Sequence, residues 1–150
     1  MSLTAQEKAN ITSQWKTLMP DKEAKIQAGI ILFTKIFEKY PEYQKLFKSF
    51  KDITSLEQLK TAPQMRAHGL RFMNALDGCV ESLDEPEALC TLLDGLAEGH
   101  KLRNVTRDHF EKTTVILKDM VLEVLGDKAD KQAWEKFFGF AESQIMKTYQ

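Results

Sequence analysis

The feature that most constrains the fold is an apolar stripe that ends in a histidine. Four residues recur at steps of four, three and four: Leu89, Leu93, Leu96 and His100. This spacing places side chains along one face of an α-helix. His100 therefore faces inward, where a neutral imidazole needs a partner for at least one ring nitrogen. A backbone carbonyl is the ordinary partner of a lone core histidine, and a bound ligand is the alternative.

A second apolar helix, 32 residues upstream, carries His68 in the same way. Its predicted inward face comprises Met65, His68, Phe72, Leu76 and Cys79. Two such faces, if they meet, form an apolar slot with an imidazole on each wall. Neither face supplies a carboxylate pair for acid–base catalysis, and the short Cys/His spacings of a zinc site are missing. The slot suits a flat apolar cofactor that carries its own metal, which is a haem.

The rest of the chain predicts an all-α fold in a single domain, residues 1–150. Glycine and proline number only 7 and 4, and no strand-like alternation persists. Helix starts are predicted where threonine precedes glutamate or glutamine by three residues, at Thr4, Thr54 and Thr61. Thr106 opens a further helix that Gly126 closes, and His109, with neither stripe nor motif around it, is expected on the surface. The count is seven or eight helices.

Charge and cysteine content exclude several classes of function. Lys and Arg total 21 against 22 Asp and Glu, so we expect no nucleic-acid or membrane-surface partner. The polar first residues do not resemble a signal peptide, and no apolar run is long enough to span a bilayer. Cys79 and Cys90 are expected to be free thiols of a cytoplasmic protein, with a regulatory disulfide as the alternative.

Several short stretches, in order along essentially the whole chain, resemble the globin family. They are Trp15, Tyr40-Pro41-Glu42, Leu46-Phe47-Lys48-Ser49-Phe50, Arg66-Ala67-His68-Gly69, Asn74-Ala75-Leu76 and Leu96-Ala97-Glu98-Gly99-His100. The opening Ser2-Leu3-Thr4-Ala5 leans toward intracellular invertebrate globins, and the short gap from His100 to Phe110 is similar to that of neuroglobin. The resemblance implies a globin fold of seven to eight helices around a haem pocket.

The resemblance also implies roles for individual residues. His100 is the proximal ligand of the haem iron. His68 is the distal histidine, which either donates a hydrogen bond to the bound ligand or acts as a sixth iron ligand. Phe47 wedges against the porphyrin, and Phe33 and Phe72 complete the ligand pocket unless they only fill the core.

Further cofactor contacts are implied around these residues. Arg71 pairs with a haem propionate or, on spacing alone, is a solvated surface arginine. Leu96, Val105 and Phe110 contact the cofactor, with Leu96 and Val105 on the proximal side.

The implied function is reversible binding of dioxygen by haem b, for storage or transport inside a cell. Carbon monoxide and nitric oxide are further expected ligands. The alternatives are a bis-histidine redox or ligand sensor and a haem enzyme, either a peroxidase or a nitric oxide dioxygenase. We expect a binding protein rather than an enzyme, and the sequence leaves open whether it is a monomer or a homodimer.

Overall fold

Every regular element in the part of the chain that the computed structural model describes, residues 2–150, is helical. The seven α-helices are α1 (Ala5–Leu18), α2 (Lys22–Lys39), α3 (Leu56–Thr61), α4 (Pro63–Glu81), α5 (Pro86–Leu102), α6 (Arg107–Leu125) and α7 (Lys131–Met146). Four short 3-10 segments join or extend them: Pro41–Leu46, Lys48–Phe50, Gly126–Lys128 and Lys147–Tyr149. The prediction of an all-α fold is confirmed. Among residues 2–150, no helix is both long and apolar enough to cross a membrane.

Two helix ends follow their predicted local signals. The hydroxyl of Thr4 accepts the backbone N–H of Glu7 at 3.0 Å, and the Glu7 carboxylate accepts the N–H of Thr4 at 3.0 Å. This reciprocal pair satisfies donors that the start of α1 would otherwise leave unpaired. Gly126 follows the last residue of α6 and caps the helix. Its φ is 56°, a positive value that glycine adopts without steric cost.

The starts of α3 and α4 differ from the prediction. Ser55, not Thr54, caps α3, because its hydroxyl accepts a backbone N–H three residues later at 3.1 Å. Thr61 ends α3 instead of opening α4, which begins at Pro63. Proline disfavours the helical conformation in the residue before it, so Ala62 is extended (φ −66°, ψ 132°) and separates the two helices. Both predicted caps are therefore wrong.

The chain divides into two compact units, which we call the first unit (Met1–Leu18 and Asp77–Gln150) and the second unit (Met19–Leu76). In the core of the first unit, Trp15 of α1 lies against Trp134 of α7, with ring centroids 6.5 Å apart. The indole N–H of Trp15 donates to the Asp77 carboxylate at 2.7 Å. A buried indole has one donor, and this bond satisfies it while tying α1 to the end of α4.

In the second unit, α2 crosses α4 at a pair of glycines. A Cβ added to Gly29 would overlap the backbone of Gly69, and one added to Gly69 would lie 3.1 Å from the Gly29 Cα. The crossing therefore requires glycine on α2. Phe33 follows Gly29 by one turn and His68 precedes Gly69, so the same close approach brings these two side chains together.

We expect Gly29→Ala to lower the free energy of unfolding by about 2 kcal/mol, because α2 and α4 must separate to admit the methyl group. Gly139 of α7 is a matched control, since no atom lies within 4 Å of a Cβ added there. Gly139→Ala is expected to stabilise the protein by up to about 1 kcal/mol through helix propensity. Urea denaturation of both variants is the measurement, and a Gly29→Ala protein as stable as Gly139→Ala would contradict the tight crossing.

Candidate functional site

His68 of α4 lies inside a cluster of phenylalanine rings in the second unit. Its imidazole makes edge contacts with Phe33 of α2 at 4.6 Å between centroids, with Phe47 at 4.9 Å and with Phe50 at 5.8 Å. Phe33 and Phe50 are buried, at 4% and 0% exposed, whereas Phe47 and His68 are half-buried. Edge-to-face contacts of this kind stabilise aromatic pairs beyond the area they bury. We call Phe33, Phe47, Phe50, His68 and Phe72 the aromatic cluster.

Phe72 joins the aromatic cluster one turn after His68. Its ring contacts Phe33 at 5.5 Å with the two planes nearly perpendicular, at 87°. The structure thus brings together all four residues predicted for the ligand pocket, Phe33, Phe47, His68 and Phe72. It adds Phe50, which was not predicted for the site. Phe50 follows Phe47 by three residues, and a 3-10 turn places residues at that spacing on one side.

His100 lies near the end of α5 in the first unit, where one ring nitrogen has a fixed partner. Its Nδ1 is 2.7 Å from the backbone oxygen of Leu96. A carbonyl oxygen only accepts, so Nδ1 carries the proton and Nε2 holds a lone pair. The core-histidine interpretation and the ligand interpretation are therefore compatible. One nitrogen is held by a carbonyl and the other is a donor atom suited to a metal.

The surroundings of His100 keep its ring neutral. Burial lowers the pKa of His100 below its usual value, the hydrogen bond to Leu96 opposes this shift, and the charge of Arg103 lowers the pKa further. A neutral imidazole is the form that binds a metal, because a proton on Nε2 would occupy the lone pair. Leu89 and Leu93 of the apolar stripe that ends at His100 are buried as predicted, with 1% and 2% of their surface exposed. Leu96 and His100 are half-buried.

One aromatic ring and one backbone hydrogen bond contact His100 near the end of α5. The Phe110 ring lies 5.2 Å from the His100 ring, and the backbone N–H of Val105 donates to the His100 carbonyl at 3.0 Å. Tyr149 was not predicted for this region. Its hydroxyl donates to the Val105 carbonyl at 2.6 Å, and its ring lies 5.9 Å from Phe110. The predicted residues Leu96, His100, Val105 and Phe110 thus form one group in the first unit, with Tyr149 behind them.

Arg71 and the two cysteines differ in exposure. Arg71 is exposed, and its predicted role at a propionate stays a prediction. Cys79 is buried and Cys90 half-buried, and both are free thiols. Burial raises the pKa of the Cys79 thiol to about 11. Cys79 is therefore a poor nucleophile at neutral pH, since the thiolate is the reactive form.

His109 has a structural role that sequence reasoning missed. Its Nδ1 accepts the backbone N–H of Thr106 at 2.9 Å, while its own N–H donates to the Thr106 hydroxyl at 3.2 Å. The pair forms a capping box at the start of α6, with histidine in the place usually taken by glutamate or glutamine. The sequence predicted only a surface position for His109, which the structure shows half-buried. Its position three residues after the predicted cap Thr106 was the signal that could have revealed the capping box.

The chain belongs to the globin family. The sequence model described as Globin matches residues 31–145, which is more than half of the chain. This match confirms the resemblance found in the sequence motifs. Membership of the family supports a haem as the cofactor.

Individual relatives and solved structures agree with this assignment. The globin of Tritia mutabilis is 30% identical over 140 residues, which cover 91% of this chain and 95% of that protein. Extracellular globin-3 of Lumbricus terrestris is 38% identical over 129 residues, covering 83% and 72%. The hexa-coordinate hemoglobin of Drosophila melanogaster is similar in fold with a TM-score of 0.88, at 21% identity over 97% of this chain and 94% of that one.

The residues present fit a haem. The group needs an imidazole with a free lone pair for its iron, and His100 has one because Leu96 fixes the proton on Nδ1. It also needs apolar surface for the porphyrin, which the half-buried Leu96, Val105 and Phe110 supply in the first unit. In the second unit, the rings of Phe33, Phe47 and Phe50 that contact His68 carry no charge.

Proposed function

We propose that this globin binds dioxygen reversibly at the iron of a haem b, for storage or transport of oxygen inside a cell. The observation that carries the proposal is the hydrogen bond from His100 Nδ1 to the Leu96 carbonyl. This bond orients the ring and leaves Nε2 as the iron ligand. A ferrous haem iron held by one imidazole supplies an open position for dioxygen, carbon monoxide or nitric oxide.

The first-unit residues hold the cofactor in this proposal. His100 is the proximal ligand, and burial keeps its ring neutral and therefore competent to bind iron. Leu96, Val105 and Phe110 contact the porphyrin. Arg71, which is exposed on α4 of the second unit, pairs with a haem propionate through its guanidinium.

The aromatic cluster forms the ligand side. One N–H of His68 donates to the bound ligand and strengthens its binding, because a hydrogen bond to a partly charged acceptor exceeds a neutral one. Phe33, Phe47 and Phe72 exclude water and restrict the space to small apolar molecules. Exclusion of water slows oxidation of the ferrous iron, so the rings favour reversible binding over enzymatic turnover.

The cellular location is part of the proposal. Cys79 and Cys90 are free thiols, which supports a reducing compartment such as the cytoplasm. One relative is described as an extracellular globin. The association state, monomer or homodimer, is read by sedimentation at two protein concentrations.

Visible absorption spectra of the ferrous protein test the proposed function. Without oxygen we expect a single broad band, which splits on adding oxygen and returns on its removal. A split band already present without oxygen would show that His68 occupies the sixth position, as in the bis-histidine sensor. Rapid autoxidation together with high peroxide turnover would instead favour the enzyme. Either result would contradict an oxygen carrier.

A further inference from the structure

One glutamine side chain is hydrogen-bonded to the segment 47–53, which carries Phe47 and Phe50 of the aromatic cluster. We call residues 47–53 the braced segment. Gln44 lies in the 3-10 segment Pro41–Leu46, and its Nε2 donates to the backbone oxygens of Phe50 at 2.9 Å and of Ile53 at 2.7 Å. A carboxamide nitrogen has two N–H donors, so one side chain can satisfy both carbonyls at once. The bonds are part-buried and span six and nine residues.

The backbone of this segment contains no helix longer than the 3-10 turn Lys48–Phe50. The N–H groups of Phe47, Phe50 and Ile53 each donate to the backbone oxygen three residues earlier, at 3.1, 3.0 and 3.0 Å. Four of its side chains are exposed: Lys48, Ser49, Lys51 and Asp52. The packing of the buried Phe50 ring holds the segment on one side. The two Gln44 bonds fix two of its backbone oxygens in addition.

The braced segment holds Phe47 and Phe50 against His68. The two rings stack on each other at 5.3 Å with an interplanar angle of 22°. Both then meet the His68 ring edge-on, at interplanar angles of 80° and 90°. Two of the rings that contact this imidazole therefore lie on one segment, and Gln44 is hydrogen-bonded to that segment.

We propose that Gln44 is a positioning residue that sets the ligand association rate by holding Phe47 and Phe50 against His68. This inference rests on the proposed function, because it requires His68 to stand on the ligand side of the haem. An incoming ligand needs His68 and its ring neighbours to move aside. The two Gln44 bonds oppose that movement, because they hold the backbone that carries Phe50 and follows Phe47.

Gln44→Met tests the inference, because methionine keeps the length of the side chain and removes both donors. Backbone amide hydrogen exchange across residues 47–53 should become roughly thirtyfold faster, because the two lost hydrogen bonds are worth about 1 kcal/mol each. Carbon monoxide association with the ferrous protein, measured by flash photolysis, should become about threefold to tenfold faster. Gln44→Lys restores donors of similar reach and should return both rates toward wild type.

Gln27→Met is the matched control, since Gln27 is exposed on α2 and donates only to the Glu23 side chain. In Gln27→Met, the rates of amide exchange and of carbon monoxide association should equal those of the wild type. If Gln44→Met does not fold, Gln44→Glu carries the test, because a carboxylate has the same size and no donor. Faster exchange with an unchanged carbon monoxide rate would overturn the positioning role. Wild-type protein that binds neither haem nor carbon monoxide would refute the proposed function instead, and exchange would still report whether the brace exists.

Discussion

Replacing His100 with alanine is expected to abolish stable haem binding. The variant loses the imidazole whose Nε2 presents a lone pair, because Leu96 holds the proton on Nδ1. Changes that merely disturb the partner of a ligating histidine weaken metal binding by roughly 10–100-fold, so removal of the ligand itself should exceed that range. The rate of haem transfer to a scavenging apoprotein is the measurement.

His109→Ala is the control for this experiment. It removes an imidazole from the same unit that serves the capping box of α6, so we expect a loss of about 1 kcal/mol of stability with haem retention unchanged. Free imidazole added to His100→Gly should restore binding in part, because it replaces the missing ring. Normal haem retention and ligand binding in His100→Ala would show that another residue holds the iron.

Replacing His68 with leucine is expected to speed dioxygen release by about 10–100-fold. Leucine places an apolar side chain among Phe33, Phe47 and Phe50, but it has no N–H to donate to the ligand. A hydrogen bond to a charged acceptor is worth about 1.5–3 kcal/mol, which corresponds to that range of rates. Carbon monoxide release should change less, since carbon monoxide develops less charge. Autoxidation should become faster.

His68→Gln separates the hydrogen bond from the volume of the side chain. Glutamine keeps an N–H donor at a similar reach, so its dioxygen release should lie between wild type and His68→Leu. Stopped-flow replacement of dioxygen by carbon monoxide measures all three proteins. Equal rates in wild type and His68→Leu would mean that Phe33 and Phe72 control the pocket and that His68 makes no hydrogen bond to the ligand.

Local sequence patterns were sufficient for much of the fold, and they drew attention to both histidines, whose roles stay predictions. The apolar spacing around Leu89 and Leu93 reports a helix face directly, because a period of 3.6 residues allows few other structures. The Thr4 capping box and the Gly126 end are equally local, since each depends on residues within one turn. His68 and His100 stood out because each interrupts such a face with a polar ring.

Features that depend on loops or on distant residues were not predicted. The Ser55 cap and the start of α4 depend on how Pro63 restricts Ala62, and the competing threonines matched the same pattern. Gln44 bonds to backbone oxygens, which every residue carries, so no residue type marks its partners. Tyr149 meets Val105 across 44 residues of sequence, and only the folded chain shows that contact.

Titration of the haem-free protein with haem, followed in the visible spectrum, tests the central claim most directly. The account predicts saturable binding with a break at one haem per chain, and a product that changes colour reversibly as oxygen is admitted and removed. His100→Ala, treated in the same way, should show only weak binding without a break. A wild-type protein that is fully folded and remains colourless after haem is added and the excess removed would contradict the account.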